Sequence, residues 1–345
     1  MKAAVLETID SPLVVAEVGL TELSFGQVLV KVLVSGICGA QLQEIAGNKG
    51  NAKFVPHLLG HEGCGIVEAI GPGVTRVAVG DKVVMHWRKG DGIESDFPTY
   101  AYKGKTIRSG KVTTFSEQSI VSENRLTTVP QDTPEELGAL LGCSLSTALS
   151  TISIEANVKM GESVMIIGAG GLGANLIRTA GLVSAFPIIS VDVHDHKREL
   201  AESLGATLYI NCLTVPVETE LREKLGLDRV DVIIDTSGHP GSIADTIPLL
   251  SGTGRYIFLG QPKPGADVTI KNAHHLFEGD GKTLKATQGG GFNPSVHLAR
   301  YVRLFKAGIL KTDGLVTHRM PLDQINEAIG LVREGQAGRI IIDMR

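Results

Sequence analysis

Short hydrophobic runs at alternating positions dominate the first third of the chain. The clearest of them span 28–34, 65–70 and 81–85, and Gly, Pro and Asp residues separate them. Alternation with a period of two is typical of strands that bury one face, and regular turn residues between them favour sheets closed on themselves. The pattern from residue 2 to about 129 therefore predicts an all-β unit, a small β-barrel.

After Cys143 the pattern changes to continuous apolar runs, at 163–167, 188–191, 231–234 and 255–259, separated by segments of helix length. This alternation is typical of a doubly wound parallel sheet. Beyond about Gln288, helices over 295–306 and 323–334 and a strand at 315–317 lead to an apolar strand at 340–342, which we expect to return to the first unit. The predicted fold class is α/β with an all-β part, in two domains: 1–144 completed by 289–345, and 145–288.

Composition narrows the possible partners. The chain has 345 residues, a formal net charge of -4, 20% charged and 43% hydrophobic residues. These values are typical of an ordinary globular protein and disfavour nucleic acid as a partner. The first residues lack the apolar core of a signal peptide, and no apolar stretch is long enough for a membrane span, so we expect a cytoplasmic location without membrane association.

A glycine-rich loop follows the first apolar run of the second domain. Its residues in the GxGxxG pattern are Gly168, Gly170, Gly171, Leu172 and Gly173. Because a strand precedes the loop and a helix follows it, the pattern predicts a dinucleotide site with the pyrophosphate at the helix N-terminus. Asp192, at the end of the next strand, is placed to accept from the ribose hydroxyls, which favours NAD over NADP. Lys197 belongs to a group of polar residues typical of a solvated helix face, although it could reach the ribose. The alternative is a turn that packs helix on sheet without a ligand.

Cysteine and histidine residues in the first 143 positions indicate a metal. Zinc takes thiolate and neutral imidazole ligands, and a catalytic site keeps three protein ligands and one open position. Cys38, His61 and Cys143 are of the right types, although a lone Cys is usually a small buried hydrophobe and a lone His a satisfied polar group. For Cys64, in a Gly-rich strand, and Cys212, after a sheet strand, packing is the better interpretation. Irregular spacing of the four cysteines disfavours a disulfide framework.

The segments that carry these residues resemble the zinc-dependent alcohol dehydrogenases of the medium-chain dehydrogenase/reductase family. The matching segments span nearly the whole chain in the expected order, and they are 36–39, 59–68, 71–74, 79–83, 115–117, 142–147 and the glycine loop. The resemblance implies a GroES-like β-barrel catalytic domain beside a Rossmann domain, and a homodimer or homotetramer. It also implies roles for individual residues: Cys38, His61 and Cys143 as ligands of one catalytic zinc, Glu62 as an alternating ligand or a neighbour of the metal, Thr147 behind the nicotinamide, and Arg339 on the pyrophosphate.

Two departures from the family pattern stand out. Many relatives carry a second, structural zinc on four closely spaced cysteines, but the segment 86–111 contains no cysteine, so a closed tetrahedral site cannot form there. The same segment, from 88 to 111, looks like an exposed excursion from the barrel. Beside the first ligand, Ala40 stands where relatives place a Ser or Thr that passes the alcohol proton toward solvent, and Gln41 where they place an acid that orients the zinc histidine. Ala40 has no hydroxyl and cannot relay a proton.

The resemblance implies zinc as a Lewis acid on the substrate oxygen and hydride transfer to the nicotinamide. For the proton we hypothesise a water chain or His86, whose ordinary pKa suits a relay. The alternative for His86 is that it merely caps the lobe, as we call the cysteine-free segment 86–111. We expect Ala40, Trp87 and Phe115 to line the substrate pocket.

The predicted function is hydride transfer between NAD(H) and an alcohol or carbonyl substrate. Six cations crowd the cysteine-free segment and slightly favour a polyol, sugar, cyclitol or other polar secondary alcohol, phosphorylated polyols included; they are Arg88, Lys89, Lys103, Lys105, Arg108 and Lys111. Two alternatives remain open at this point: a zinc-free quinone or enoyl reductase of the same fold, and a non-catalytic binding protein that kept the fold.

Overall fold

The computed structural model describes residues 1–50 and 52–345. Contacts divide the chain into two compact units, Met1–Ser146 with Asn293–Arg345, and Thr147–Phe292. The boundaries therefore follow Ser146 and Phe292, where the sequence had placed them at 144 and 288. No single helix in the described ranges is long and apolar enough to cross a membrane, and only the bent pair Glu135–Gly142 and Ser144–Glu155 reaches that length together.

Strands and helices are numbered in chain order. The strands are β1 Lys2–Leu6, β2 Val14–Glu17, β3 Gly19–Leu20, β4 Gln27–Gly36, β5 His57–Leu58, β6 Glu62–Ile70, β7 Lys82–His86, β8 Thr99–Tyr102, β9 Lys105–Arg108, β10 Gln118–Ser122, β11 Leu126–Thr128, β12 Val164–Ile167, β13 Ile188–Asp192, β14 Leu208–Asn211, β15 Val230–Asp235, β16 Leu250–Phe258, β17 Thr283–Ala286, β18 Val316–Pro321 and β19 Arg339–Asp343. The helices are α1 Gly39–Ile45, α2 Glu135–Gly142, α3 Ser144–Ser150, α4 Gly171–Leu182, α5 Arg198–Ser203, α6 Val217–Leu225, α7 Pro240–Thr246, α8 Pro294–Lys306 and α9 Ile325–Arg333.

The first unit is built from two mixed sheets. One has the order β2-β1-β5-β9-β8-β3, and the other β11-β7-β6-β4-β19-β18 with β10 also on β4. The C-terminal strand β19 pairs with β4, so the chain returns to the first unit as the apolar run at 340–342 predicts. Inward-facing residues of β4, β6, β7 and β19 share one core with helix α9, and alternate positions supply them as period two requires.

The second unit is a parallel sheet with the order β14-β13-β12-β15-β16-β17. The chain starts in the middle, winds to one edge and then to the other, which is the doubly wound order of dinucleotide-binding domains. Strands β12 and β13 are buried at every position, because helices leave neither sheet face to water. The predicted fold class is confirmed for both units.

The cysteine-free segment is not the exposed excursion that its composition predicts. It contains the hairpin β8-β9, whose Tyr100, Tyr102 and Ile107 are buried in a core with β1 and β10 residues. Some of the exposed positions between these buried residues carry charged side chains. The alternation of buried and exposed positions is therefore hard to recognise in the sequence. The prediction was wrong here because a hairpin with one buried face keeps a polar composition.

A buried carboxylate anchors the lobe where relatives use a structural zinc. Glu123 is fully buried and accepts hydrogen bonds from the backbone N–H groups of Thr75 (2.6 Å), Arg76 (2.7 Å) and Ile93 (2.7 Å). Burial alone would raise the pKa of Glu123, but these three donors outweigh burial and lower it. The ionised carboxylate therefore ties three chain segments together without a metal.

A second acidic residue forms ion pairs with three cations. Glu94 pairs with Lys89 (2.8 Å), Lys111 (2.9 Å) and Arg125 (3.5 Å). Hydrogen bonds from Lys89 and Lys111 lower the pKa of Glu94 to about 2. Two of the cations that the sequence shows in this segment, Lys89 and Lys111, are therefore paired within the fold and share one negative charge with Arg125.

Replacing the anchoring carboxylate should loosen the lobe. We expect Glu123→Gln to lower the free energy of unfolding by about 2–3 kcal/mol, because an amide cannot accept from all three N–H groups and loses the charge that strengthens each bond. Urea denaturation followed by fluorescence of Trp87, the one tryptophan of the chain, reports on this unit. The matched control Glu22→Gln, at an exposed position, should stay within about 0.5 kcal/mol of the wild type. Equal stability of both variants would show that Glu123 is not an anchor.

Candidate metal centre and dinucleotide motif

Three predicted ligands converge in the first unit. Cys38 lies between β4 and α1, His61 directly precedes β6, and Cys143 directly follows α2. Their ligand atoms all lie within 4.8 Å of one another, and among the described residues this is the one group of its kind. The set is brought together because β4 and β6 are neighbours in one sheet and α2 packs on both.

The donor chemistry fits a zinc ion. His61 Nε2 is buried and has no hydrogen-bond partner in the described part of the chain, which is the state of a nitrogen whose partner is a metal. The Cys143 thiol donates to Cys38 and is the largest cause of the lowered pKa of Cys38, with His61 and Arg339 assisting. Two sulfurs and one imidazole nitrogen make a three-ligand set that leaves the fourth tetrahedral position open.

A buried ion pair ties the three ligand segments to one another. Arg339 Nη1 donates to Glu62 Oε1 (2.9 Å) and to the carbonyl of Ile37 (2.5 Å), and Glu62 Oε2 accepts from the N–H of Ser144 (3.1 Å). Ile37, Glu62 and Ser144 are the sequence neighbours of the three ligands. One carboxylate and one guanidinium therefore fix the spacing of all three ligand-bearing segments.

Two glycines leave space for Glu62, the acid of this ion pair. A Cβ atom on Gly36 would lie 2.3 Å from Glu62 Oε1, and one on Gly142 would lie 2.3 Å from the Met85 carbonyl and 2.9 Å from Glu62 Cα. All three separations are below van der Waals contact. A larger residue at position 36 would displace the Glu62 carboxylate, and one at position 142 would displace the backbone of Met85 and Glu62.

Glu62 is a bridging group in this structure and does not join the ligand set. Both of its oxygens have protein partners, and it is absent from the group of ligand atoms that converge. Burial raises the pKa of Glu62, and the attraction of Arg339 offsets this only in part. Arg339 is itself buried, with Nη1 committed to Glu62 and Ile37. Its contact with a pyrophosphate, and the alternating ligation by Glu62, stay predictions.

Helix α1 carries both residues of the second departure from the family pattern. Ala40 is half-buried and offers no hydroxyl. Gln41 is fully buried; its Nε2 lies 2.5 Å from His61 Nδ1, and its Oε1 accepts from the N–H of Cys38 (2.9 Å). The position that orients the metal histidine is therefore filled by a neutral amide.

His86 has no free nitrogen in this structure. It is fully buried; Nδ1 donates to the Arg88 carbonyl (2.7 Å) and Nε2 accepts from the Thr127 hydroxyl (2.9 Å). Burial lowers the pKa of His86 to about 4. These contacts argue against a proton relay through His86 and favour the alternative that it is a structural residue at the base of the lobe.

Both aromatic pocket residues pack at least in part against the core. Phe115 belongs to the hydrophobic core, with its backbone hydrogen-bonded to Ala4 and Leu59, and its place on a pocket wall stays a prediction. Trp87 is only partly buried, and Arg88 lies 5.5 Å from its ring centroid. Its Nε1–H is buried and has no hydrogen-bond partner among the described residues, and its place on a pocket wall stays a prediction.

The remaining cysteines lie in packing positions. Cys64 is fully buried against Val34, Ala139 and Ile341, and burial raises the pKa of its thiol to about 12. Cys212 is half-buried beside the core of the second unit. The interpretation of both as packing residues is confirmed.

The glycine loop of the second unit has the geometry of a phosphate cradle. Helix α4 begins at Gly171 with Gly170 as its N-cap. A Cβ on Gly173 would lie 1.8 Å from the Gly168 carbonyl, so only glycine allows the helix to approach the strand this closely. A Cβ on Gly170 would meet nothing within 4 Å, which leaves open space beside the helix N-terminus, where backbone N–H groups attract a phosphate.

Asp192 stands at the end of β13 as predicted. Its Oδ2 accepts from the N–H of Ala169 (2.7 Å) in the loop, and Lys197 Nζ lies 3.1 Å from the same oxygen. Burial alone would raise the pKa of Asp192, but Lys197, His194 and the Ala169 N–H outweigh it and lower it. An ionised carboxylate beside the loop is suited to ribose hydroxyls and repels a 2′-phosphate.

Thr147 begins the second unit and is almost fully buried, and its hydroxyl has no partner among the residues described. Its placement behind a nicotinamide stays a prediction. Sequence reasoning assigned no role to Gly36, Gly142, Ser144 and Glu123, although the first three lie in segments that resemble the family. Their roles arise from backbone groups and close approaches that exist only in the fold.

The first unit thus carries a three-ligand zinc set and the second a dinucleotide-binding motif, which together define a zinc-containing, nucleotide-dependent dehydrogenase. Comparison with known proteins agrees. Residues 24–131 match the alcohol dehydrogenase GroES-like domain and residues 171–299 the zinc-binding dehydrogenase domain. The chain belongs to the zinc-type alcohol dehydrogenases of the medium-chain dehydrogenase/reductase family; it is an oxidoreductase, and zinc and NAD are its cofactors.

Individual relatives cover the whole chain. It is 30% identical to the NDMA-dependent alcohol dehydrogenase of Amycolatopsis methanolica, over 99% of this chain and 98% of the relative. It is 28% identical to an S-(hydroxymethyl)glutathione dehydrogenase of Candida maltosa, over 99% and 97%. The crystal structure of benzyl alcohol dehydrogenase from Acinetobacter calcoaceticus is 27% identical and superposes with a TM-score of 0.89, covering 100% of this chain and 99% of that one. The zinc-free and non-catalytic alternatives are therefore disfavoured.

Removal of one sulfur should abolish tight metal binding. We expect Cys143→Ser to bind zinc more than about tenfold more weakly than the wild type, since changes that merely touch a ligand's neighbour already cost that much. Elemental analysis after dialysis against a mild chelator measures the loss. Cys212→Ser, which removes a half-buried thiol outside the ligand group, is the matched control and should keep its zinc. Full zinc retention in Cys143→Ser would remove this residue from the site.

The buried neutral imidazole predicts a distinct acid response. Between about pH 6.5, the ordinary imidazole pKa, and pH 4, the unfolded chain takes up a proton that folded His86 does not, so stability falls as the pH falls. This loss reaches about 3 kcal/mol, and His86→Gln should remove it from the pH dependence of unfolding.

The exposed His274 provides the control for that experiment, because His274→Gln should leave the slope against pH unchanged. The same His86→Gln variant should keep the shape of the wild-type pH profile of turnover. If the pH profile of turnover lost its acidic or its basic limb in His86→Gln, His86 would be a proton relay after all.

Proposed function

We propose that this chain transfers hydride between NAD(H) and an alcohol or carbonyl substrate at the Cys38, His61 and Cys143 centre. The observation that carries the proposal is the convergence of these three ligand atoms, with His61 Nε2 buried and otherwise unpartnered among the described residues. Zinc bound there would supply a Lewis acid for the substrate oxygen. The names of the relatives, all alcohol or S-(hydroxymethyl)glutathione dehydrogenases, support this reaction class.

The chain's own residues perform the positioning. Glu62 and Arg339 hold the three ligand segments at fixed spacing, and Gln41 holds the His61 ring. In the second unit, the open space at Gly170 and the ionised Asp192 would receive the pyrophosphate and the ribose. Because Ala40 has no hydroxyl and both His86 nitrogens are engaged, we propose a water chain for the proton.

We further propose an uncharged polar secondary alcohol as substrate: a polyol, sugar or cyclitol. The cations of the segment 88–111 support a polar substrate. A phosphorylated substrate is less well supported than the sequence indicates, because Lys89 and Lys111 are paired with Glu94, and Lys103 with Glu7. A homodimer or homotetramer remains part of the proposal, and light scattering tests it.

A substrate screen joined to a metal assay tests the proposed function. Purified protein should contain about one tightly bound zinc per chain. It should form NADH with at least one polyol, sugar or cyclitol, at a higher kcat/KM than with benzyl alcohol or S-(hydroxymethyl)glutathione. Activity confined to those two comparison substrates would refute the substrate class, activity that survives complete zinc removal would refute the role of zinc, and no NADH formation with any alcohol would refute the reaction itself.

The preference for NAD over NADP can be tested at Asp192, the last residue of β13. We expect Asp192→Asn to raise the affinity for NADP relative to NAD by about tenfold or more, because the variant no longer repels the 2′-phosphate. Titration of both cofactors by fluorescence gives the ratio of the two Kd values. Asp195→Asn, at an exposed acid three residues further on, is the control and should leave the ratio unchanged. An unchanged ratio in Asp192→Asn would dismiss Asp192 as the discriminating group.

A further inference from the structure

The buried side-chain amide of Gln41 makes two hydrogen bonds beside the metal ligands. Gln41 is fully buried on α1, its Oε1 accepts from the N–H of Cys38, and its Nε2 lies 2.5 Å from His61 Nδ1. The first contact caps the N-terminus of α1, where an N–H group has no partner within the helix. The second contact holds the ring of a metal ligand.

These contacts define one tautomer of the histidine. An amide nitrogen only donates, so His61 Nδ1 must accept and the proton of the neutral ring must sit on Nε2. Nε2 is the buried nitrogen without a protein partner among the described residues, the one available to a metal. A nitrogen that carries a proton cannot ligate zinc.

When zinc binds Nε2, Nδ1 changes from a hydrogen-bond acceptor to a hydrogen-bond donor. The neutral ring then carries its proton on Nδ1, which needs an acceptor. Gln41 has one acceptor oxygen, and that oxygen already serves the Cys38 N–H. Rotation of the amide turns the oxygen toward Nδ1 but places the amide nitrogen against the Cys38 N–H, so two donors then face each other.

We propose that Gln41 is a positioning residue that switches partner on metal binding: its oxygen caps Cys38 in the metal-free protein and accepts from His61 Nδ1–H in the zinc-loaded protein. Zinc binding then breaks the hydrogen bond that the Cys38 N–H donates to Gln41. A carboxylate at position 41 would accept from both groups at once, so the neutral amide weakens zinc binding relative to an acid. The inference concerns metal retention and does not depend on the substrate proposed above.

The direct test compares two variants of the same helix. Gln41→Glu keeps the side-chain length and supplies two acceptor oxygens, whereas Gln43→Glu adds the same charge at a half-buried neighbour that accepts from Asn48 Nδ2 (2.8 Å). Competition with a chromophoric chelator gives the zinc Kd of each. We expect Gln41→Glu to bind zinc at least about tenfold more tightly than both the wild type and Gln43→Glu. Equal gains in the two variants, or no gain in Gln41→Glu, would overturn the proposal.

A second measurement uses the unmodified protein and does not rely on the folding of a variant. The carbon shifts of isotope-labelled histidine distinguish the two neutral tautomers at mildly alkaline pH, and His61→Asn identifies the His61 signal. We expect the Nε2–H tautomer in metal-free protein and the Nδ1–H tautomer after zinc is added. The Nδ1–H tautomer in both states would overturn the proposal.

Discussion

The buried ion pair of Glu62 and Arg339 is the constraint on which the metal centre depends. Taking two charges out of water is costly, and such a pair is tolerated only where further hydrogen bonds satisfy its remaining atoms. Here the Ile37 carbonyl and the Ser144 N–H supply them, and both groups adjoin a ligand. The pair also joins β6 to β19, so the last strand of the chain helps to define a site whose ligands all lie before residue 144. Loss of either partner would leave an isolated buried charge, at a cost of about 3–5 kcal/mol.

The lobe shows how the same fold is held without a second metal. A structural zinc fixes four cysteines by direct bonds, whereas Glu123 fixes three backbone N–H groups on two other segments through hydrogen bonds to one carboxylate. Glu94 holds the cations that would otherwise repel one another. Both devices need ionised acids, so the lobe of this protein responds to acid where a zinc lobe responds to chelators.

Sequence reasoning succeeded where chemistry is carried by residue type and spacing. The alternating and continuous apolar runs predicted the strands of both units, the glycine loop and Asp192 predicted the dinucleotide motif, and Cys38, His61 and Cys143 predicted the metal. It could not reach roles that depend on contacts formed only in the fold. The sequence left open whether His86 is a proton relay or a structural residue, and its hydrogen bonds with Arg88 and Thr127 favour the structural role. No side-chain pattern identifies Glu123, because its partners are backbone N–H groups on two other segments.

The central claim is that Cys38, His61 and Cys143 hold one zinc ion and that the cysteine-free lobe holds none. Anomalous diffraction from crystals of the purified protein, measured on both sides of the zinc absorption edge, tests it most directly. The account predicts one anomalous peak per chain, about 2.3 Å from both sulfurs and about 2.0–2.1 Å from His61 Nε2. A peak within the segment 86–111, or none at the three ligands in protein that retains its zinc, would contradict it.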